Sequence, residues 1–171
     1  MYQNLLPDGG ERRQRPRSGP ALPMLRFEVP GVQLCLPLEH VERVLPLAAR
    51  QAIPAGPDHI VGLLNLGGEI VPAIDLCLRL ANPAFDYDLD TPVLLCRHRG
   101  RRCAIVVAAV HGVSRVDQQG LRRATDVVRD GRGPFLAVFE EADRLVFMLD
   151  LDAVCDGLQL DQLAAAEANP A

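Results

Sequence analysis

Apolar and polar residues alternate one by one where the pattern first becomes regular, with Leu25, Phe27 and Val29 interleaved by Arg26 and Glu28. A period of two is that of a strand with one face buried. Pro30-Gly31 then turns the chain into Val32, Leu34 and Leu36, which predicts a hairpin. After Pro37 the spacing of Leu38, Val41, Val44 and Leu45 changes to three and four, predicting about one turn of helix before another extended segment. Pro54 and Pro57 mark a loop. Val61–Leu66 and Glu69–Ile74 are joined by Gly67-Gly68, two residues that supply the positive φ angles of a tight hairpin turn. Pro72 cannot donate a ladder hydrogen bond, which places its strand at a sheet edge or bulge. Such an edge either docks a partner or is guarded by the proline against unwanted pairing.

A short apolar helix is predicted over Leu76–Leu80, then an acidic connector from Asp86 to Asp90. A second series of strands follows at Val93–Cys96, Cys103–Val110, near Val113–Val116, Phe135–Phe139 and Leu145–Leu149. The unbroken run Cys103–Val110 predicts a strand buried on both faces. Residues 120–133, rich in Arg and Gly, predict an exposed, mobile crossing. From Asp150 onward Leu151, Val154, Leu158 and Leu163 fit a closing helix. Residues 1–22 carry Pro, Gly and Arg without any hydrophobic period, which predicts a disordered tail. The ordered domain is placed at 23–160, with 161–171 as a C-terminal tail.

One internal echo bears on architecture. Ile70-Val71-Pro72-Ala73-Ile74-Asp75-Leu76 and Leu145-Val146-Phe147-Met148-Leu149-Asp150-Leu151 share a plan: an apolar strand, an Asp able to cap a helix, and a helix start. Two similar lobes of about five strands each account for the echo and for the length of 171 residues. About 150 ordered residues remove roughly two-thirds of the unfolded surface from water, enough for a core without disulfides or metal. The composition agrees: 49% hydrophobic but 4% aromatic, without Trp, is a small-residue β-rich interior.

Chemistry is sparse. All 18 Lys-plus-Arg residues are Arg, which excludes a lysine Schiff base or a phosphate-loop lysine. Hydroxyls are limited to Ser18, Ser114, Thr91 and Thr125 among Ser and Thr. Cys35, Cys77, Cys96, Cys103 and Cys155 form no C-x-x-C pair and read as reduced core thiols of a cytoplasmic protein. The longest apolar stretch spans Cys103 to Val110, whereas a membrane-spanning helix needs about 20 residues. Asp86, Asp88 and Asp90 have the opening spacing of a calcium loop, but Thr91 and Arg97 occupy the places of its Gly and Glu. Cys96 and His98 lack a further ligand pair, so a thiol beside a surface imidazole is the expected reading. A Cys103–His111 nucleophile pair is allowed by spacing, although Cys103 opens a buried strand where thiols are inert. The turn Arg97-His98-Arg99-Gly100-Arg101-Arg102 is basic without interleaved aromatics, and a solvated hairpin tip is expected there rather than nucleic-acid binding. A net charge of −4 exerts no global pull on nucleic acid or anionic lipid. No catalytic residue, cofactor or metal is expected.

Val41-Glu42-Arg43-Val44, the loop through Pro54 and Pro57, and Val61-Gly62-Leu63-Leu64-Asn65-Leu66-Gly67-Gly68-Glu69-Ile70-Val71-Pro72-Ala73-Ile74-Asp75-Leu76 together resemble the CheW family of chemotaxis coupling proteins. The family's most recognisable stretch is a Gly-x-x-Asn-Leu-Arg-Gly hairpin followed by a Val-Pro-x-x-Asp-Leu strand. The likeness runs from about Leu25 to Leu158. It implies a mainly β fold of two packed five-stranded SH3-like β-barrel lobes with short helices and a C-terminal helix. It also implies a non-enzymatic adaptor, which binds the regulatory domain of a CheA-like histidine kinase and holds the cytoplasmic tip of a chemoreceptor between the lobes. Positions matching the family's receptor-contact region are Val41, Arg43, Gly62, Gly67, Gly68, Val110 and Val113. Glycine permits close backbone approach and an exposed Val offers apolar area to a receptor helix, although the same residues also serve as turns and core filling.

Three departures stand out: Arg43 where the family usually has Glu, Gly67 where it has Arg, and Ala108 where it has Asp. Losing a surface Glu–Arg pair costs the fold only ~0–1 kcal/mol. Complementarity to a partner is more sensitive, which points to a dedicated adaptor of a chemosensory-type pathway. Two other readings are a small-ligand-binding β-barrel regulator and a nucleic-acid binder using the Arg-rich tail and turn. Neither accounts for the hairpin motif.

Overall fold

The structure, a computed structural model, describes residues 20–47, 57–83, 85–126 and 133–155. The fold is mainly β. The strands are β1 (Ala21–Val29), β2 (Val32–Pro37), β3 (Val41–Pro46), β4 (Ile60–Leu66), β5 (Glu69–Asp75), β6 (Pro92–His98), β7 (Arg101–Val106), β8 (Ala109–Asp117), β9 (Arg122–Arg123), β10 (Phe135–Glu141) and β11 (Arg144–Leu149). Helix α1 (Leu76–Arg79) follows β5 and helix α2 (Leu151–Cys155) follows β11. The turn expected after Pro37 is a single 3₁₀ turn, Leu38–His40. Two sheets result: β8-β1-β2-β11-β10-β9, the first lobe, and β3-β6-β7-β5-β4, the second.

The echo in the sequence is the visible part of a complete internal repeat. Each half of the chain runs hairpin, single strand, hairpin, helix: β1-β2, β3, β4-β5, α1, then β6-β7, β8, β10-β11, α2. Each half lends its leading hairpin to the other half's sheet, so β1-β2 lies between β8 and β11, and β6-β7 lies between β3 and β5. The registers agree residue by residue. Val41 faces Cys96 as Val110 faces Phe27, and the parallel partners Ala73–Ala104 match Met148–Cys35. In each half an aspartate at the junction of strand and helix uses its side chain to satisfy free helix N–H groups. Leu78 N–H donates to Asp75 Oδ1 (3.1 Å) and Asp152 N–H donates to Asp150 Oδ1 (3.0 Å). The N–H groups of those aspartates bond equivalent carbonyls, His59 O (2.8 Å) and Pro134 O (2.7 Å).

The exchange of hairpins explains the long apolar runs. Each central strand has one face inside its own lobe and the other against the opposite lobe. On β7, Ala104 and Val106 join Leu64, Val71, Val93 and Leu95 inside the second lobe. Cys103, Ile105 and Val107 instead meet Leu25, Phe27, Leu34, Leu36, Leu149 and Leu151 in a core shared by both lobes. Met24, Cys35, Val116, Phe139, Val146 and Met148 fill the first lobe. Each fully buried Leu or Phe contributes about 1.5–3 kcal/mol, and the shared cluster is the largest of the three, so the lobes cannot separate without exposing most of the core.

Several expectations need correction. The run Cys103–Val110 is not one strand: β7 ends at Val106 and β8 begins at Ala109 in the other sheet. Val107 N–H bonds Pro92 O in the second lobe (3.1 Å) and Ala108 N–H bonds Glu28 O in the first (2.9 Å), so the chain stays apolar while it crosses through the shared core. Pro72 is not on an edge strand, since β5 lies between β7 and β4. The ladder to β7 begins one residue later, at Ala73, so the missing N–H falls just before it. The first lobe has six strands rather than five because the two-residue β9 pairs with β10. That strand, with 3₁₀ turns at Gln118–Gly120 and Ala124–Asp126 and a buried Ala124, gives fixed structure to part of the crossing expected to be mobile. The sheet also begins at Ala21, two residues inside the expected tail. Residues 1–19 and 127–132, the loop positions Pro54 and Ala55, and the helix positions Leu158 and Leu163 lie outside the described residues.

Candidate functional site

The repeat places two β-bulges at equivalent points of the two outer strands β3 and β8. On β3 the register to β6 slips between Val41 and Arg43, leaving Glu42 as the extra residue. On β8 the register to β1 slips in the same place, between Val110 and Gly112, leaving His111 extra. A bulge twists an edge strand and re-aims its side chains. The segments Val41-Glu42-Arg43-Val44 and Val110-His111-Gly112-Val113 are therefore structural counterparts. Val41 and Val110 are half-buried and both pack on the shared core. One turn of pleat further on, Val44 (44% exposed) and Val113 (55%) project into solvent, two of the few large apolar side chains left uncovered.

The two bulged residues are held by polar contacts to their neighbouring strands. Glu42 accepts from Arg97 of β6 and from Arg102 of β7 (2.9 Å), and Arg102 also pairs with Glu69 of β5. The Arg102 and Arg97 guanidinium groups hold the Glu42 carboxyl below its ordinary value, and Glu42 and Glu69 in turn push Arg102 up. On the other lobe His111 lies 3.1 Å from Glu28 of β1. The chain Arg97–Glu42–Arg102–Glu69 links the β3 bulge to the β4–β5 turn, so Val41 and Arg43 are joined through it to Gly67-Gly68. Those glycines have φ of +70° and +95°, as a two-residue hairpin turn requires, and the Gly68 N–H donates to Asn65 Oδ1 (2.8 Å). An added Cβ at either glycine would meet nothing within 4 Å, so the tip is bare and open.

The predicted contact residues thus fall into three groups. Val41, Arg43, Gly67 and Gly68 sit on one connected surface of the second lobe. Val110 and Val113 occupy the equivalent bulge of the first. Gly62 differs: it is buried in β4 opposite Ala73, at a register slip repeated at Ala137 of β10. Arg43 is exposed, and among the described residues it has no ion-pair partner. Val44, Glu42 and His111 were missed by sequence reasoning. Aligning Val41–Val44 with Val110–Val113, as the Asp-Leu echo invites, would have found them.

In the basic turn and the acidic connector, charged groups are matched by neighbours. In the basic turn Arg97 and Arg102 are bound by Glu42, while His98 and Arg99 both reach Asp152 of α2 (2.7 Å each), so most of its charge is already matched. Asp88 folds back on its own turn, accepting from Asp90 N–H and Thr91 Oγ1 (3.0 Å each). Among the described residues no group of three or more His, Cys, Asp or Glu is placed to hold a metal ion. The Cys103 thiol meets Cys155 at 3.3 Å, whereas His111 pairs with Glu28, so the nucleophile pair allowed by spacing does not form. Burial pushes Cys35 and Cys96 up to about 12 and Cys77 up to about 11, leaving them inert thiols. No helix among the described residues is long and apolar enough to cross a membrane.

A sequence model described as the CheW-like domain matches residues 23–159. The chain belongs to the CheW-like family. Among its relatives, the chemotaxis protein CheW of Rhizobium meliloti is 21% identical over 132 residues, 77% of this chain and 85% of that protein. The chemotaxis protein CheW of Bacillus subtilis is 24% identical over 134 residues, 78% and 86%. The crystal structure of the scaffolding protein TtCheW from Thermoanaerobacter tengcongensis superimposes with a TM-score of 0.74 at 21% identity, covering 81% of this chain and 95% of that one. The coverage of this CheW-like chain includes both halves of the repeat, so the hairpin exchange belongs to the matched region rather than to an addition at either end.

Proposed function

We infer that this protein is a cytoplasmic, non-enzymatic adaptor of chemotaxis-type signalling that couples a chemoreceptor to a CheA-like histidine kinase through surface contacts. The observation that carries the reading is the pair of equivalent edge bulges, which present Val44 and Val113 on strands flanking the shared core of a CheW-like fold. Half-exposed valines on a rigid bulged edge suit an apolar face of a receptor helix, and the bare Gly67-Gly68 tip allows a partner's backbone close approach. Val41, Arg43, Gly67, Gly68, Val110 and Val113 form this contact surface, while Gly62 acts from within β4 by setting the local twist. The kinase binds through its regulatory domain, and its contact leaves the bulged edges to the receptor.

Arg43 stands beside a carboxylate already claimed by two guanidinium groups, so its charge is directed outward. It selects a receptor with an acidic group opposite. The test is titration of the purified full chain against the kinase regulatory domain and against a receptor cytoplasmic tip from the same cell. Saturable one-to-one binding to each is expected. The double variant Arg43→Glu with Gly67→Arg should leave kinase affinity within twofold and weaken the native receptor by roughly tenfold or more, as like-charge juxtaposition costs 1.4 kcal/mol or more. Unchanged receptor preference in that variant would overturn the selectivity role, and absence of kinase binding would overturn the adaptor reading.

A further inference from the structure

Five free cysteines are present, and two of them are in contact although 52 residues apart. Cys103 is the third residue of β7 and is 2% exposed. Cys155 closes α2 and is partly exposed. Their sulfur atoms are 3.3 Å apart. A disulfide needs about 2.05 Å, so closure requires a shift of little more than an ångström at the end of a short helix. The helix is already seated against the same hairpin, since Asp152 holds His98 and Arg99.

We propose that Cys103 and Cys155 form a peroxide-sensitive dithiol, which closes to a disulfide that fastens α2 to β7 and reopens under a thiol reductant. Access and chemistry divide the roles. Cys155 is reachable from solvent, and its contact with the Cys103 sulfur favours its thiolate against the opposing effects of burial and Asp152, aided by the Arg79 guanidinium, which also bonds the Ala153 carbonyl on the same helix. Cys103 is held up by its bond to Cys155 and by burial, so it waits as a protonated thiol. In the first step the Cys155 sulfur attacks one peroxide oxygen, the O–O bond breaks, and the departing hydroxide takes up a proton to leave as water, giving a sulfenic acid. In the second step the Cys103 sulfur attacks Cys155 Sγ. The S–S bond forms, the S–O bond breaks, and the Cys103 proton leaves with the hydroxide as a second water. The two sulfurs together lose two electrons and the peroxide gains them. Cys35 lies in the separate core of the first lobe, and Cys77 and Cys96, although in the same shared core as Cys103, make no sulfur contact with either member of the pair among the described residues.

The inference is independent of the adaptor reading and is tested on the reduced full-length chain with hydrogen peroxide. Titratable thiols should fall from five to three, peptide mapping should show one link between the Cys103 and Cys155 peptides, and a thiol reductant should restore all five. Closing a loop of this length should raise the melting temperature by roughly 5–15 °C. Cys155→Ser, at a partly exposed helix end, should fold and lose both effects, whereas Cys35→Ser should keep them. A Cys96–Cys103 link, over-oxidation of Cys155 without a link, or five unreacted thiols would each overturn the proposal.

Discussion

Reciprocal exchange of hairpins makes a strong claim about cooperativity. Leu64 lies in the private core of the second lobe and Met24 in that of the first, both essentially buried. Truncation of either to Ala removes its packing and leaves a cavity, at about 3 kcal/mol within the usual 2–5 kcal/mol range. Against a total stability of about 5–15 kcal/mol, that lowers the folding equilibrium constant by about two orders of magnitude. If the lobes were independent, Leu64→Ala would loosen only β3–β7. Here the second lobe is completed by β6-β7, whose outer faces form part of the shared core with β1 and β2, so neither sheet can open alone. Peptide-resolved hydrogen exchange is the appropriate assay. In Leu64→Ala the slowest amides of β1, β2 and β11 should accelerate by about the same hundredfold as those of β5–β7, and Met24→Ala should give the same pattern. Acceleration confined to the lobe carrying the substitution, or two separate denaturation transitions, would refute the reasoning.

Two further outcomes follow from the charge pairs. Arg26 is only 8% exposed, donates to Glu141 Oε2 at 2.6 Å and lies over the Phe139 ring; Glu141→Gln should lower stability in urea by about 1–2 kcal/mol, less than for a fully buried pair because Glu141 is half-exposed, whereas Arg26→Met should cost less than Arg26→Ala because it keeps apolar contact with that ring. Glu42 has its pKa lowered in the fold, from 4.5, by Arg102 and Arg97; its contribution is therefore full above the unfolded value and is lost as pH falls through the folded one, so a melting series from pH 7 to 3 should fall more steeply below about 4.5 for the wild type than for Glu42→Gln.

Period-two alternation at Leu25–Val29, the Pro30-Gly31 and Gly67-Gly68 turns and the two capping aspartates were all readable, because each depends on neighbours within a few residues. The hairpin exchange was not. It pairs Val41 with Cys96 and Phe27 with Val110, and no local pattern records which distant strand will lie alongside. The break at Val107-Ala108 was hidden for a related reason: a segment that crosses through a shared core is as apolar as the strands it joins. Pro72 misled because its ring forbids one hydrogen bond without saying which side of the strand would have needed it. Of the candidate surface, the exposed glycine tip was legible from turn chemistry, while the bulges and the Glu42–Arg102–Glu69 chain depend on register, which appears only once the sheets are assembled.

Viewed as symmetry, the molecule is a pseudo-two-fold pair of half-chains joined end to end. A single half would pair its leading hairpin with a second copy by a two-fold operation, burying the same patch on both sides, as isologous dimers do. Fusion frees the halves from identity. Glu42 has His111 as its counterpart and Arg43 has Gly112, without a matching change across the axis, so the two equivalent edges carry different charge. The turn at the far end has diverged in the same way: Ala142-Asp143 keeps positive φ at both residues without a glycine, whereas its counterpart is bare Gly67-Gly68. Specialisation of the two faces is thus a property of the linkage between the halves, open to substitution on one side while the other holds the fold.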